Sequence, residues 1–225
     1  MVKRKDLVKY AAEFVGTFFL MLSITFSLNG EFIRFAPLIL SSTLMVMIYV
    51  FGNISRSHFN PLVTFGFWWR KQIDRHLITG YLCAQFLGSA SAIALNFLFF
   101  IDSQDLIAVD LVKNPDYSVL KGMAAEAIGT FALFIVVMIV ATTKELKGNS
   151  FYGFTIAVTV MLMAYSFGDF GTFAAFNPAV SFGLLLESKI SLGTFFLSLL
   201  AQSIGAFLAA SIFKLFYSPF ERNNT

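Results

Sequence analysis

Long apolar stretches separated by short polar segments dominate the chain. Crossing the hydrocarbon core of a bilayer takes about 20 apolar residues, with a range of about 17–25. Six stretches have that length: Val8–Leu28, Phe35–Asn53, Leu77–Ile101, Met123–Thr143, Phe151–Phe167 and Leu192–Phe216. None alternates polar and apolar residues as the strands of an outer-membrane barrel do. Because backbone in lipid must satisfy its own hydrogen bonds, we predict six membrane-spanning helices.

Two further apolar segments, Asn60–Trp69 and Asn177–Leu186, are too short to span a bilayer. Each begins with Asn-Pro. Asn is a favoured helix N-cap and Pro is a favoured first helical residue, so each segment is predicted to start a short helix. The alternative, that Asn-Pro only marks a turn, fits a single copy better than it fits two.

The two halves of the chain repeat each other. Three motifs occur twice, in the same order and at nearly constant spacing: Ala12–Phe18 with Ala125–Phe131, Phe59–Gly66 with Phe176–Gly183, and Ala84–Gly88 with Ala201–Gly205. Each half holds three spans, so the second half must enter the membrane from the opposite side. We therefore predict one membrane domain over residues 1–225, with inverted repeats at about 8–101 and 122–216 and a site near the midplane.

The two short helices lie at equivalent places in opposed halves, so their N-termini can meet near the centre of the bilayer. Each N-terminus carries roughly half a positive charge, which would repel cations and orient passing water. The Asn carbonyl can cap its own helix while the amide NH₂ donates into a lumen. This arrangement would interrupt the hydrogen-bonded water chain that a proton needs.

Composition and charge narrow the function. Hydrophobic residues make up 57% and charged residues 13% of the 225 residues, against roughly 25% charged in soluble domains. The net charge of +3 is spread along the chain, so a nucleic-acid-binding face is not predicted. Most basic residues share one side if the N-terminus is cytoplasmic, which predicts a multi-pass cell-membrane protein with both termini inside. We see no nucleophile–base set, cofactor motif or metal-ligand spacing, so we predict no enzyme activity, cofactor or metal.

These motifs resemble the aquaporins, members of the major intrinsic protein family. The family's two Asn-Pro-Ala boxes appear as Asn60-Pro61-Leu62 and Asn177-Pro178-Ala179, and its Ala-Glu-Phe and Ser-Gly-x-His motifs appear as Ala12-Glu13-Phe14 and Ser55-Arg56-Ser57-His58. The resemblance covers about residues 8–216. It implies an all-α, aquaporin-like membrane protein of six transmembrane helices and two re-entrant half-helices. It also implies a homotetramer in the lipid bilayer, with a pore in each protomer for water or a small neutral solute.

The chain departs from the family at three places. Leu62 replaces the Ala of the first box, which would put a larger side chain beside the central constriction. Arg56 replaces a glycine, and either pairs with a carbonyl or faces the vestibule. Val180 stands where the family usually has the Arg of its selectivity constriction. Ungapped counting puts the other constriction positions at Leu40, Tyr165 and Ala174.

Such an apolar constriction would cost water its hydrogen bonds without full replacement. We expect either a preference for less polar solutes such as glycerol, ammonia, urea or undissociated weak acids, or water flow restored by other residues. Proton exclusion would then depend on the half-helix N-termini.

The polar residues predicted to lie within or next to the spans have alternative roles. The resemblance implies that Glu13 and Glu126 accept hydrogen bonds from the backbone of the non-helical loops, whereas intramembrane acids can also form a proton relay. His58 is expected either to support its loop or to act as a pH gate. Gln85 and Gln202 are expected to bridge helices or loops.

Three functions remain open at this point. The first is a passive channel, which we favour. The second is a gradient-coupled secondary transporter, because inverted repeats and broken helices occur there too. The third is a poorly conducting structural or junction protein, with the lumen plugged by Leu40, Phe173 or Tyr165.

Overall fold

The computed structural model describes residues 3–29, 33–99 and 118–223, with side chains up to residue 217. Within these ranges the chain forms eight α-helices. They are α1 (Arg4–Asn29), α2 (Ala36–Ser55), α3 (Pro61–Trp69), α4 (Ile78–Phe99), α5 (Val119–Thr142), α6 (Tyr152–Phe167), α7 (Pro178–Leu186) and α8 (Leu192–Asn223). The predicted pattern of six long and two short helices is confirmed. The predicted end of the third span, at residue 101, lies outside the described residues.

Five of the long helices have the length and hydropathy of membrane spans, and α6 is shorter. With 16 residues, α6 rises about 24 Å, somewhat less than the roughly 30 Å hydrocarbon core. Large apolar side chains are exposed along the outside of the bundle, including Phe207 at 71% and Leu98 at 73%. Acids and amides are buried inside instead. This reversal identifies lipid as the solvent of the outer surface.

The two halves are packed in the same way. Helix α1 packs mainly on α4 as α5 packs mainly on α8, and α2 packs on α6 across the boundary between the halves. Glycines permit the closest crossings. A Cβ atom on Gly88 would lie 2.5 Å from the carbonyl oxygen of Phe14, and one on Gly205 would lie 2.2 Å from that of Ala127. Small residues at these positions let the helix backbones approach within van der Waals contact.

Each short helix begins at an Asn whose side chain caps it. The side-chain oxygen of Asn60 accepts a hydrogen bond from the Leu62 N–H at 2.9 Å, and Asn177 accepts one from Ala179 at 2.9 Å. The Pro that follows each Asn occupies the first helical position. Helix α3 contacts α5 and α8 of the second half, and α7 contacts α1 and α4 of the first. Since α3 also contacts α4 and α7 also contacts α8, each short helix packs against both halves.

The loops that lead into α3 and α7 share an unusual backbone. Three residues of each loop have left-handed φ angles: Arg56 (69°), Ser57 (50°) and Phe59 (49°) in the first, and Phe173 (56°), Ala174 (49°) and Phe176 (48°) in the second. None is glycine, so each costs roughly 1–3 kcal/mol and persists only where the surroundings hold it. The sequence repeat is thus also a repeat of backbone conformation.

Candidate functional site: a lumen between the two half-helices

A cavity of about 780 Å³ runs between α1, α2, α5, α6 and the two loops. Aliphatic side chains form one large part of its wall, with Leu44, Ile48, Leu133, Val137, Ile156 and Val160 as examples. Asn60 and Asn177 both line it. The cavity is therefore a passage with an aliphatic section, and the amide groups of Asn60 and Asn177 lie in its wall.

The two Asn side chains connect the loops of the two halves. The amide nitrogen of Asn60 donates to the Phe176 carbonyl at 3.1 Å, and that of Asn177 donates to the Phe59 carbonyl at 2.8 Å. Each NH₂ has two hydrogens, so one N–H of each remains beyond these bonds. The N-termini of α3 and α7 are thereby held at one place beside the lumen. Together they bring two positive partial charges to it.

Glu13 holds the first loop. Its carboxylate accepts hydrogen bonds from the backbone N–H groups of His58 at 2.9 Å and Phe59 at 2.7 Å. It also accepts from the Ser55 hydroxyl at 2.6 Å and the Gln85 amide at 2.8 Å. Its side chain is fully buried. Irregular backbone at membrane depth needs such partners, and this carboxylate supplies them.

Glu126 holds the second loop in the same way. It accepts from the backbone N–H groups of Ala175 and Phe176, both at 2.9 Å, and from the Gln202 amide at 2.8 Å. The two glutamines also have matching second contacts. Gln85 donates to the Thr64 hydroxyl at 3.0 Å, and Gln202 donates to the Ser181 hydroxyl at 2.9 Å.

His58 belongs to the first loop, and its side chain packs against α3 and α4. Its Nδ1 atom is 3.1 Å from the Thr64 hydroxyl, and its ring centre lies 4.3 Å from that of Phe67 and 5.0 Å from that of Tyr81, with the rings tilted to each other. The Thr64 hydroxyl also lies 3.2 Å from the Asn60 carbonyl. Through Thr64, the imidazole joins the hydrogen-bond network that positions Asn60.

Three of the four predicted constriction residues line the cavity, namely Leu40, Ala174 and Val180. The prediction for Tyr165 is wrong, because its side chain is 53% exposed on the outside of α6. Helix α6 faces the cavity with Ile156 and Val160. Tyr165 follows Val160 by five residues, which turns it roughly 140° away.

The position predicted for Leu62 is also wrong. Its side chain is half-buried and packs against a cluster on α5 and α8 that includes Phe134 and Phe213. The equivalent Ala179 is fully buried, and its carbonyl accepts from the Ser89 hydroxyl at 2.7 Å. The third residue of each box therefore faces helices and not the lumen, because it lies two helical positions beyond the Asn.

Arg56 lines the cavity and also pairs with a side-chain carbonyl. Its Nη1 donates to the Gln72 side-chain oxygen at 2.7 Å, and its guanidinium carbon lies 5.9 Å from the Phe67 ring centre. Four lysines and one acid line the same end of the cavity: Lys9, Lys71, Lys144, Lys147 and Asp74. We call this end, which includes Arg56, the basic mouth.

Sequence reasoning missed two polar anchors at the far ends of the half-helices. Arg70 follows α3, where its Nε donates to the Thr142 hydroxyl at 3.2 Å. Glu187 follows α7 and is 1% exposed. It accepts from Thr25 at 2.5 Å and from the amides of Asn29 and Asn96 at 2.5 and 3.2 Å. Burial raises the pKa of Glu187. The repeat aligns Glu187 with Arg70, and that alignment is the signal that could have found them.

Comparison with known proteins agrees with this geometry. The family model described as "Major intrinsic protein" matches residues 1–174 and 153–225. The chain is 33% identical over 208 residues to glycerol uptake facilitator protein-like 6 of Lactiplantibacillus plantarum, covering 90% of this chain and 94% of the relative. It is 32% identical over 178 residues to aquaporin AqpM of Methanothermobacter thermautotrophicus, covering 74% and 70%.

A solved structure, that of the aquaglyceroporin from Plasmodium falciparum, shares the fold at a TM-score of 0.79 with 20% identity, covering 96% of this chain and 99% of the other. The predicted aquaporin-like fold is thus confirmed. The sequence matches, the fold and the paired Asn-Pro half-helices together show that this chain is a multi-pass membrane protein of the major intrinsic protein family, whose aquaporins and aquaglyceroporins are channels and not enzymes.

Proposed function

We propose that the protein is a passive channel that conducts water or small uncharged solutes through this lumen and excludes ions and protons. The observation that carries the proposal is the crossed pair of bonds from Asn60 and Asn177 to the opposite loops, beside an aliphatic passage. The remaining N–H of each amide can donate to a passing solute. A neutral solute can therefore accept hydrogen bonds at the middle of the lumen, whereas the positive partial charges of the two helix N-termini repel a cation.

The solute class follows from the rest of the wall. Leu40, Ala174 and Val180 supply no side-chain hydrogen bond where the family usually places an Arg. Water at that point loses hydrogen bonds, while a solute with carbon–hydrogen edges gains apolar contact. We therefore propose a glycerol-type permeant in preference to strict water selectivity. The names of the relatives from Lactiplantibacillus and Plasmodium point to the same class.

Orientation and assembly belong to the same proposal. The basic residues of the mouth favour the cytoplasmic side of the cell membrane, with both termini inside. The family resemblance favours a homotetramer, each protomer with its own pore. Native mass spectrometry of the detergent-solubilised protein is expected to give a mass of about four times 25.0 kDa.

Stopped-flow light scattering on proteoliposomes tests the proposal. Wild-type protein should speed glycerol entry above the rate of empty liposomes. Val180→Trp should return that rate to the empty-liposome value, because Val180 lines the lumen. Leu186→Trp, on the same half-helix but 39% exposed, is the matched control and should conduct. Equal rates for wild type and empty liposomes with both glycerol and water would contradict the channel and favour a poorly conducting structural or junction protein.

The same assay separates a channel from a coupled transporter. The oxygens of Glu13 and Glu126 are committed to loop N–H groups and glutamines. Neither acid is therefore free to carry a coupling proton. Solute flux should not change when a proton or sodium gradient is imposed. A flux that follows either gradient would favour the transporter.

A further inference from the structure

We propose that the basic mouth is the main barrier to cations in this protein, ahead of the two half-helix N-termini, with Arg56 as the residue that determines it. The inference builds on the proposed channel function and assigns its selectivity to a new place. At the constriction, Val180 stands where the family usually has an Arg, so this part of the lumen has no positive side chain. Among the described residues, every charged side chain that lines the cavity lies at the basic mouth.

Arg56 and Phe173 occupy equivalent positions in the two repeats. Both have left-handed backbone, with φ of 69° and 56°, and both line the cavity. Helices α2 and α6 end on opposite faces of the bundle, so the two residues stand at opposite ends of the lumen. The same backbone site thus carries a guanidinium at one end and an apolar ring at the other.

The guanidinium of Arg56 is held in place. It bonds to Gln72 at 2.7 Å and lies 5.9 Å from the ring of Phe67, on the half-helix α3. The residues that follow it, Ser57 and His58, line the lumen. The charge is therefore fixed next to the path of the permeant. Because Arg is always protonated, the charge does not vary with physiological pH.

The surrounding lysines act differently from Arg56. Arg56, Lys71, Lys144 and Lys147 are all exposed, but in the described part of the chain no side-chain hydrogen bond or ring contact holds the three lysines. Salt screens charges beyond about 8 Å. Asp74 adds one negative charge to the same end of the cavity. A charge held beside lining residues has more effect on an entering cation than mobile charges do, because it stays close to the path of the cation.

The test measures potassium conductance of planar bilayers that contain the full-length protein, with glycerol flux of the same preparation in proteoliposomes. Arg56→Gly removes the charge at a position whose backbone suits glycine. Arg56→Gln removes the charge but keeps most of the bulk, and Arg56→Lys keeps the charge. Lys147→Gln is the matched control at the basic mouth.

Wild-type potassium conductance should equal the leak of protein-free bilayers, and Arg56→Gly and Arg56→Gln are both expected to raise it about tenfold above that leak, with glycerol flux kept. Arg56→Lys and Lys147→Gln should remain within about twofold of the wild type. Conductance that stays at the wild-type level in both neutral variants would overturn the proposal, and so would a rise in Arg56→Gly alone, which would reveal a steric effect. A wild type that itself conducts potassium would overturn it too. Wild-type glycerol flux equal to that of empty liposomes would instead remove the proposed function.

Discussion

The two half-helices are alike where they meet and unlike where they end. At the lumen, α3 and α7 have the same Asn cap, the same bond to the opposite loop and the same carboxylate behind that loop. At the far ends, α3 is followed by Arg70 and α7 by Glu187. The chemistry of the lumen requires two equivalent ends, while the outer ends need only be held by whatever surrounds them.

Arg70 is well placed for its helix. A cation near a helix C-terminus interacts favourably with the helix dipole. Its guanidinium also lies 4.7 Å from the ring centre of Phe213 on α8. The equivalent contacts of Glu187 come from Asn29 and Asn96, which occupy the repeat positions of Thr142 and Phe213.

Glu187 has the opposite electrostatics. An anion at a helix C-terminus is unfavourable, and burial adds to the cost of its charge. Donors from α1 and α4 offset this cost, and Lys189 donates to Asn29 beside it at 2.8 Å. The comparison predicts that substitutions at the shared ends will have large and matched effects, and that substitutions at the far ends will have small and unequal ones.

The largest effect is expected from Glu13→Gln and Glu126→Gln. Each amide would set an NH₂ group against buried backbone N–H groups and leave donors without an acceptor. We expect a loss of about 3 kcal/mol or more in each case. The unfolding of detergent-solubilised protein can be followed by the fluorescence of Trp68 and Trp69. Glu145→Gln, an exposed acid, is the control. Losses that differ by more than about 2 kcal/mol between the two variants would show that the two carboxylates do not support their loops equally.

A smaller matched pair is expected at the helix crossings. Gly88→Ala and Gly205→Ala would bring a Cβ atom against a backbone carbonyl that cannot turn aside. Each should cost about 1–3 kcal/mol. Gly193→Ala is the control, since its Cβ would lie 3.7 Å from the nearest side chain. Melting temperatures of the three variants would check this, and an unchanged value for Gly205→Ala would show that α5 and α8 can separate.

The spans could be predicted from the sequence because a helix that crosses lipid needs a long apolar run. The half-helices could be predicted because Asn-Pro favours the start of a helix. The roles suggested by family resemblance for Glu13 and Glu126 match the bonds they make. Tyr165 and Leu62 could not be placed, because counting residues does not give the rotation of a helix about its axis. Glu187 has no motif, since its partners come from α1 and α4 and meet it only in the folded chain.

At the far ends, Arg70→Gln should cost about 1 kcal/mol, through the loss of the dipole interaction and of the contact with Phe213. Chemical denaturation in detergent at neutral pH gives this value. Arg75→Gln, an exposed charge near the same face, serves as the comparison. A loss as large as that of the Glu13 variant would mean that the far end contributes as much as the lumen end.

The smallest effect is expected from Glu187→Gln, and it should depend on pH. The pKa of Glu187 is raised above its ordinary 4.5, so the folded protein binds a proton more tightly than the unfolded chain. The contribution of Glu187 to the free energy of unfolding is therefore greatest below its pKa in the unfolded chain. It falls as the pH rises through its pKa in the folded protein. Glu187→Gln lacks that decline, so melting temperatures should shift in favour of the variant from pH 4.5 upward. A constant difference across this range would contradict the assignment.

Mercury block of single-cysteine variants tests most directly whether both half-helices face one conducting lumen. Val63 and Val180 are equivalent positions on α3 and α7, and both line the cavity. With the exposed Cys83 changed to Ser, Hg²⁺ should stop glycerol flux through Val63→Cys and through Val180→Cys, and a reducing thiol should restore it. Phe65→Cys and Leu186→Cys, on outward faces of the same helices, should be insensitive. Block at only one of the two valines, or at neither, would contradict a shared lumen.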